Sequence, residues 1–184
     1  RKTVFFGGAG VSTESGIPDF RSAGGIYGRQ YAYPPEVMVS HSFFMAHPDE
    51  FYEFYRREMV WPRAKPNAAH IRLAELEAEG RVTAVVTQNI DGLHQMAGSK
   101  NVLELHGSIH RNRCMRCGRK YGLEAILTTD GVPRCECGGI IKPEVVLYEE
   151  ELDPRTLTAA VDAISQADTL LIAGTSLAVY PAAS

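Results

Sequence analysis

The sequence predicts an α/β protein in which a parallel β-sheet carries helices on both faces and is joined to a smaller lobe. Several short segments are apolar along their whole length and alternate with helical patterns, which is typical of a parallel sheet covered on both sides. The chain has 184 residues, of which 45% are hydrophobic and 22% charged, enough for one domain with a small second module. This composition excludes a disordered or fibrous protein.

Four short apolar segments supply the predicted strands. They are residues 4–6, 82–87, 102–105 and 170–173, and 145–147 is a further candidate. Glycine or polar residues follow each of the four. Because the carboxyl ends of parallel strands lie along one edge of a sheet, these four loops should converge on a single crevice, where sheets of this kind bind ligands.

Three helices are predicted from apolar spacing and end signals. Residues 48–59 carry aromatic side chains at spacings of three and four, and residues 67–79 form a second amphipathic pattern that stops at Gly80. Asp153 and Pro154 are a suitable N-cap and first-turn pair for a third helix. These helices alternate with the predicted strands, as the fold class requires.

All four cysteines fall within a short part of the chain: Cys114, Cys117, Cys135 and Cys137. A tight cluster in an otherwise cysteine-free chain is typical of a metal site rather than a disulfide scaffold. We therefore predict a zinc-ribbon insertion held by a structural zinc, in a reducing, cytoplasmic compartment. One residue separates Cys135 from Cys137 where two are usual, so His110 is an alternative ligand.

The charge and hydropathy of the chain limit its partners. A net charge of −3 argues against nucleic acid binding by the whole chain. The cysteine segment carries a cluster of basic residues: Arg111, Arg113, Arg116, Arg119 and Lys120. This cluster leaves open the alternative of a zinc module that binds nucleic acid. No apolar run approaches the roughly 18 residues of a membrane span, and the residues before the first turn are too few for a signal peptide, so no membrane association is expected. The oligomeric state is not indicated.

The first predicted strand ends in a glycine turn. Gly8 and Gly10 would let the backbone approach a pyrophosphate, and a following helix N-terminus would offer free amides. Thr13, however, stands where the dehydrogenase fingerprint has a third glycine, and Gln88 and Asn89, not an acidic residue, follow the second strand. Both departures argue against a nicotinamide-dependent dehydrogenase. A glycine pair alone can also be a simple tight turn.

The continuation of this turn is more specific. Residues 8–21, GAGVSTESGIPDFR, resemble the signature loop of the sirtuins, the NAD-dependent protein deacylases. Further segments match the family in order: TQNIDGLH at 87–94, LHG at 105–107, the paired cysteines, KPEVV at 142–146 and GTSLAVYPAA at 174–183. The chain is thus identified as a bacterial-type member of the family. Because the family continues with further strands, it is expected to be C-terminally truncated.

The resemblance implies a deacetylase that consumes NAD as co-substrate. It would transfer the acyl group of an acetylated protein or peptide lysine to ADP-ribose and release nicotinamide. Residues 1–22, 71–107 and 144–184 would form a Rossmann-like NAD-binding domain. A helical insertion, 23–70, and the zinc-binding insertion, 108–143, would form the smaller lobe. Mono-ADP-ribosylation, or removal of an acyl group other than acetyl, is the alternative within the family.

The resemblance also implies the site residues. His106 would be the base that deprotonates a ribose hydroxyl, because imidazole titrates near neutrality; Asn89 and Asp91 would be catalytic with it. Contacts to NAD are expected from Gly8, Ala9, Gly10, Thr13, Phe20, Arg21, Gln88, Asn89, Ile90, Asp91, His106, Gly174, Thr175 and Ser176. The acyl-peptide is expected on Val145, Val146, Leu147 and Tyr148. The other histidines are expected to be structural.

Two departures from the family pattern bear on substrate. Leu147 and Glu149 stand where the peptide-binding strand of the family usually has an aromatic residue and a glycine. Members that remove acidic acyl groups share a Tyr-x-x-Arg pair, and here Glu53 and Arg56 stand at those positions. Since an acidic acyl group would meet Glu53, removal of acetyl or other neutral acyl groups is expected.

Overall fold

The computed structural model describes residues 1–178; the end of the last family segment, 179–183, lies outside the described residues. The strands are β1 (Thr3–Gly7), β2 (Val82–Thr87), β3 (Val102–Glu104), β4 (Gly107–Cys114), β5 (Lys120–Tyr121), β6 (Ile141–Val145) and β7 (Thr169–Ala173). A four-stranded parallel sheet has the order β3-β2-β1-β7, and an antiparallel three-stranded sheet has the order β5-β4-β6.

Short helices connect these strands. They are α1 (Pro35–Met38), α2 (His41–Ala46), α3 (Pro48–Phe54), α4 (Ala68–Ala78), α5 (Leu93–Met96), α6 (Glu124–Leu127) and α7 (Pro154–Ser165). Two 3-10 turns cover Ala9–Ser15 and Ile26–Gly28, and a π-helical turn covers Tyr55–Met59. In residues 1–178, no helix has both the length and the apolar character that crossing a membrane requires.

Helices lie on both faces of the parallel sheet, as predicted, although the edge strand β7 is exposed. Val4 and Phe6 of β1 belong to the hydrophobic cluster that includes α7, whereas Phe5 between them belongs to the cluster that includes Leu73 of α4. Side chains of a strand alternate between its two faces, so α7 and α4 lie on opposite sides of the sheet. The two helices begin where the sequence indicates: the side chains of Asn67 and Asp153 cap their first turns.

The two insertions share one hydrophobic core. Phe44 of α2 and Phe51 of α3 are in the same cluster as Ile109 of β4, Ile141 of β6 and Cys114. The helical insertion therefore supplies apolar contacts that the cysteine segment lacks by itself. At the boundaries, α4 begins at residue 68 and β4 at residue 107, a few residues from the predicted divisions.

Two element predictions were wrong in detail. The helix predicted over 48–59 is α-helical to Phe54 and continues as a π-helical turn. The strand predicted over 145–147 is β6, which ends at residue 145 and pairs with β4 in the small sheet. Because β6 alternates buried and half-buried residues and contains Lys142 and Glu144, it has no continuous apolar run, and only its last residue lies in the apolar segment 145–147.

Candidate functional site

A cavity of about 520 Å³ lies beyond the carboxyl ends of the parallel strands. Gly10 follows β1, Asn89 follows β2, His106 follows β3 and Thr175 follows β7, and all four line this cavity. The convergence of four loops that the sequence predicts is therefore confirmed. A crevice at this edge of a parallel sheet is the usual ligand site of the fold class.

The glycine turn after β1 packs against the turn after β7. The amide of Gly10 donates to the carbonyl oxygen of Gly174 over 2.9 Å, and that of Gly8 donates to Ala173 over 3.3 Å. A Cβ atom at Gly10 would lie 2.8 Å from Cα of Gly174. The lack of a side chain at these glycines lets the two turns approach and bond each other, so the amides of Gly8 and Gly10 are already used within the protein.

His106 lines the cavity, and a hydrogen bond from one of its ring nitrogens orients the ring. Its Nδ1 atom lies 2.9 Å from the carbonyl oxygen of Gln88. A carbonyl only accepts, so Nδ1 carries the proton and Nε2 keeps a free lone pair. Burial lowers the pKa of His106, partly opposed by the bond to Gln88. The following Gly107 has a φ of +78°, and a Cβ there would collide with the carbonyl oxygen of Glu144.

Asn89 and Asp91 form a hydrogen-bonded group with Ser12. The Ser12 hydroxyl donates to Asp91 Oδ2 over 2.6 Å, and Asn89 Nδ2 donates to Ser12 Oγ over 3.2 Å and to the Gly8 carbonyl over 3.0 Å. The other carboxylate oxygen of Asp91 accepts from the amide of Leu93 at the start of α5. This arrangement holds one amide and one carboxylate at the cavity wall beside β1 and β2.

Two buried histidines lie behind this group. His70 Nδ1 accepts from the amide of Asn67 over 3.1 Å, which puts its proton on Nε2, 3.5 Å from Ser12 Oγ. The ring of His94 packs edge-on against His70, and neither of its nitrogens has a hydrogen-bond partner in the described part of the chain. Burial lowers the pKa of both, and that of His94 falls to about 4. Both rings are therefore neutral at pH 7.

Polar side chains of the outer wall suit a nucleotide ligand. Thr175 Oγ1 donates to Gln88 Oε1 over 2.8 Å, while Gln88 Nε2 is buried and has no partner among residues 1–178. Arg21 Nη1 donates to Ser176 Oγ over 3.3 Å at the rim, and Phe20 lines the cavity beside it. An unpaired amide, a guanidinium and hydroxyl groups are donors that phosphate and ribose oxygens accept from. The residues present therefore fit a dinucleotide.

The segment predicted to bind an acyl-peptide also lines the cavity: Val145, Val146, Leu147 and Tyr148. Its backbone is fixed from two sides, because the amide of Val146 donates to the His106 carbonyl over 2.9 Å and the amide of Tyr148 to the Val39 carbonyl over 3.0 Å. Glu149 follows with a φ of +75°, the left-handed conformation that favours glycine. Its carboxylate accepts from the amide and hydroxyl of Ser42.

The four cysteines bring their sulfur atoms together. Sγ of Cys114 lies 3.4 Å from that of Cys137, Sγ of Cys117 lies 3.6 Å from that of Cys135, and all four lie within 4.8 Å of one another. Tetrahedral zinc with bonds of about 2.3 Å separates its sulfur ligands by about 3.8 Å. The short spacing of the second pair therefore still allows a four-thiolate zinc site. The Tyr121 hydroxyl donates to Cys135 Sγ over 2.9 Å.

Two expectations about neighbouring residues were wrong. His110 is not among the clustered ligands; its Nε2 atom lies 3.1 Å from the carbonyl oxygen of Asp91. Glu53 lies on the surface beside Arg57, away from the main cavity, whereas Glu58 is one of several acidic side chains that line the cavity. The π-helical turn adds a residue to the turn that carries Glu58, so helical spacing did not predict its direction.

The basic cluster of the cysteine segment is largely paired with acidic side chains. Arg111 contacts Glu104 over 2.8 Å, and Arg113 contacts Glu144 over 2.7 Å. Arg119 contacts Glu136 over 2.6 Å. These ion pairs leave little free positive charge on the segment, which counts against a nucleic-acid-binding module.

The remaining predicted residues divide into those at the wall and those beside it. Ala9, Ile90 and Gly174 line the cavity. Gly8 and Thr13 do not: Gly8 supplies backbone bonds behind the wall, and the Thr13 hydroxyl donates to the Gly10 carbonyl. Among the wall residues that sequence reasoning missed are Ser12, Tyr27 and Glu58. Ser12 lies inside the signature loop, which is the signal that could have identified it.

Comparison with known proteins places the chain among close relatives. The model of the Sir2 family matches residues 8–181. A protein of Clostridium acetobutylicum named NAD-dependent protein deacetylase is 61% identical over 184 residues, covering 98% of this chain and 75% of that protein. A protein of Thermotoga maritima with the same name is 46% identical, covering 100% and 75%. This chain thus spans about three quarters of the length of both.

Solved structures agree with these relatives. A structure of Sir2 with a deacetylated p53 peptide and 3'-O-acetyl ADP ribose matches with a TM-score of 0.91 and 45% identity, covering 100% of this chain and 75% of that one. A structure of Sir2 with a p53 peptide and NAD+ matches with a TM-score of 0.85 and 44% identity, covering 100% and 74%.

Proposed function

Because this chain belongs to the Sir2 family, we propose that it is an NAD-dependent protein lysine deacetylase. The observation that carries the proposal is the convergence of four strand-end loops on one cavity, where His106, with the lone pair on Nε2, lies beside the segment 145–148. The curated relatives that bear the name of this activity include proteins that are 61% and 62% identical. The acetyl group of a protein or peptide lysine is the substrate.

NAD is the second substrate: cleavage of its bond to nicotinamide provides the ADP-ribose that accepts the acyl group. His106 takes up a proton from a ribose hydroxyl at Nε2, since Nδ1 is already occupied by its bond to Gln88. The imidazole is uncharged at neutral pH because burial lowers its pKa. Its orientation is fixed before substrate arrives, which reduces the entropy cost of the proton transfer.

Asn89, Asp91 and Ser12 position the ribose and the nicotinamide amide. Asp91 keeps a negative charge close to the reacting ribose, where positive charge develops as the bond breaks. Ser12 holds that carboxylate through the 2.6 Å hydrogen bond. Asn89 is held in turn by Ser12 and the Gly8 carbonyl, so it directs a fixed polar group at the cavity.

The rim residues bind the cofactor and limit the access of water. Arg21 and Ser176 lie within hydrogen-bond distance of each other, and the guanidinium can bind a pyrophosphate oxygen through its remaining donors. Phe20 covers the reacting ribose and excludes water, which suppresses simple hydrolysis of NAD. The peptide lies along 145–148 and pairs by backbone hydrogen bonds.

Zinc is structural in this account. The sulfur atoms of the four cysteines fill all four positions of a tetrahedral ion, so no position is open for water or substrate. Zinc held by these cysteines would fix the cysteine segment against the helical insertion, with which it shares a core. The smaller lobe comprises 23–70 and 108–143. Residues 1–22, 71–107 and 144–184 form the Rossmann-like domain. Four cysteines that hold a metal instead of forming disulfides favour the reducing cytoplasm as its location.

The test is to identify the products. The protein is incubated with NAD and an acetyl-lysine peptide, and the mixture is analysed by mass spectrometry. We expect nicotinamide, deacetylated peptide and O-acetyl-ADP-ribose in equal amounts. Formation of NADH would instead indicate a dehydrogenase, and an ADP-ribosyl group attached to protein would indicate the transferase alternative; either result without deacetylated peptide rejects the proposal.

A further inference from the structure

Two tyrosine hydroxyls meet at the cavity between segments that are far apart in the chain. Oη of Tyr27 lies 2.9 Å from Oη of Tyr148, and 121 residues separate the two. Both side chains line the cavity. Tyr27 belongs to the turn that follows Phe20 and Arg21, and Tyr148 ends the segment proposed to bind the acyl-peptide.

Tyr27 holds the two rim residues of the nucleotide side. Its amide donates to the carbonyl oxygen of Phe20 over 2.7 Å, and the two rings meet edge to face with centroids 5.7 Å apart. The guanidinium carbon of Arg21 lies 6.0 Å from the centre of the Tyr27 ring. A displacement of Tyr27 therefore displaces the residues that close over the cofactor.

Tyr148 is fixed to the peptide side. Its amide donates to Val39 over 3.0 Å, and its carbonyl oxygen accepts from the amide of His41 over 2.9 Å. Two residues earlier, Val146 is bonded to the carbonyl of His106. Since backbone bonds hold each segment, loss of either hydroxyl leaves both walls folded and removes the connection between them.

We infer that the Tyr27–Tyr148 hydrogen bond couples the cofactor wall to the peptide wall, so that acyl-peptide and nucleotide each strengthen the binding of the other. The inference rests on the proposed function. A ligand that orders its own wall also orders the other wall through this bond. The second ligand then binds to a wall that has already lost conformational entropy, so its binding is stronger. Thermodynamic linkage makes the effect equal in both directions. Tyr27 and Tyr148 are thus positioning residues.

The test is a double-mutant cycle on the coupling. The dissociation constant of an acetyl-lysine peptide is measured by calorimetry with and without ADP-ribose, for the wild type, Tyr27→Phe, Tyr148→Phe and the double variant. We expect tighter peptide binding with ADP-ribose in the wild type. In each single variant this enhancement should be roughly two- to tenfold smaller, which corresponds to the free energy of one hydrogen bond. The double variant should show the same reduction as a single variant, because both changes remove the same bond.

Tyr33→Phe is the matched control, because Tyr33 contacts Phe43 and His47 through its ring and is not part of the pair. It should retain the full enhancement. Amide hydrogen exchange gives a second readout: peptide binding should slow exchange in residues 20–28 of the wild type and not of Tyr148→Phe. A purely structural role of the hydroxyls would not move either readout.

The outcomes separate the inference from the proposed function. Three results would overturn the coupling in a wild type that still deacetylates the peptide. ADP-ribose could fail to strengthen peptide binding in the wild type, or strengthen it equally in the single variants. The losses of the two single variants could also add up in the double variant. A wild type that releases no nicotinamide from NAD and peptide would overturn the proposed function itself.

Discussion

Nδ1 of His106 lies 2.9 Å from the carbonyl oxygen of Gln88, and this single contact determines which ring nitrogen can act as a base. The Gln88 carbonyl stands at the end of β2, and His106 follows β3, so the parallel pairing of these strands sets the contact. Nε2 is left free in the cavity. The same bond favours the charged ring, but burial outweighs it and lowers the pKa of His106.

The first prediction concerns the pH dependence of deacetylation. A base works only when unprotonated, and the pKa of His106 in the free enzyme lies below its ordinary value of 6.5, so kcat/KM should rise with pH through an inflection below 6.5 and stay level above it. Initial rates at NAD and peptide concentrations well below KM measure this profile. An inflection above 6.5, or a rate that falls as pH rises through this range, would be incompatible with the assignment.

The second prediction concerns Asp91. Asp91→Asn keeps an oxygen that can accept from the Leu93 amide but removes the negative charge at the reacting ribose, so kcat should fall about 100-fold with little loss of stability. The exposed Asp162→Asn on α7 is the matched control and should retain the wild-type rate. Steady-state kinetics give kcat for both variants, and thermal melts show whether both remain stable. Equal kcat values for the two variants would reject a catalytic role of the Asp91 charge.

The third prediction concerns the metal. One zinc ion per chain should be found by mass spectrometry, and a chelator should remove it and expose the shared core of the smaller lobe. Faster amide hydrogen exchange in β4 and β6 would report the loss of structure, and deacetylase activity should be lost with it. Tyr121→Phe, which removes the hydrogen bond to Cys135 Sγ, should weaken zinc binding about tenfold. Protected amides in a zinc-free protein would show that the metal is not structural.

The fourth prediction concerns acid stability. The pKa of His94 is about 4 in the folded protein and 6.5 in the unfolded chain, so between these values the unfolded chain binds more protons. The free energy of unfolding therefore falls as pH drops from 6.5 towards 4, by up to about 3 kcal/mol from this group. His94→Leu should remove that part of the dependence, measured by urea unfolding across this range.

The exposed His47→Gln serves as the control for this series and should leave the pH dependence as it is in the wild type. If His94→Leu loses stability on acidification as steeply as the wild type does, the buried imidazole is not the source of the effect.

The fifth prediction concerns acyl selectivity. Glu58 lines the cavity with a buried carboxylate 2.7 Å from Arg29, so acetyl-lysine peptides should react faster than succinyl-lysine peptides. Glu58→Gln should narrow the ratio of the two kcat/KM values, because like-charge repulsion is removed. Glu53→Gln, at the surface, should leave the ratio unchanged. Succinyl turnover as fast as acetyl turnover in the wild type would contradict the prediction.

The sequence predicts the sheet and the position of the site well, for a physical reason. Segments such as 82–87 are buried on both faces, and their apolar pattern together with the polar residues after them is local information. The helix start at Asn67 is equally local, since capping involves neighbouring residues. Loops at the ends of parallel strands must then meet at one edge.

The remaining features depend on contacts between distant segments. Gly10 bonds to Gly174, and Tyr27 to Tyr148, through pairings that no short-range pattern contains. The direction of Glu58 depends on one π-helical turn, which packing of the aromatic core decides. The sequence indicates a strand near Val145 but not the sheet to which it belongs, because its pairing with β4 is a contact between distant segments.

The most direct test of the account compares formation of deacetylated peptide by the wild type and by His106→Ala, at neutral pH with saturating NAD and peptide. The account predicts a loss of about 100-fold or more in kcat, the contribution of a positioned general base, in a variant that remains folded. A His106→Ala variant that deacetylates the peptide as fast as the wild type would contradict it.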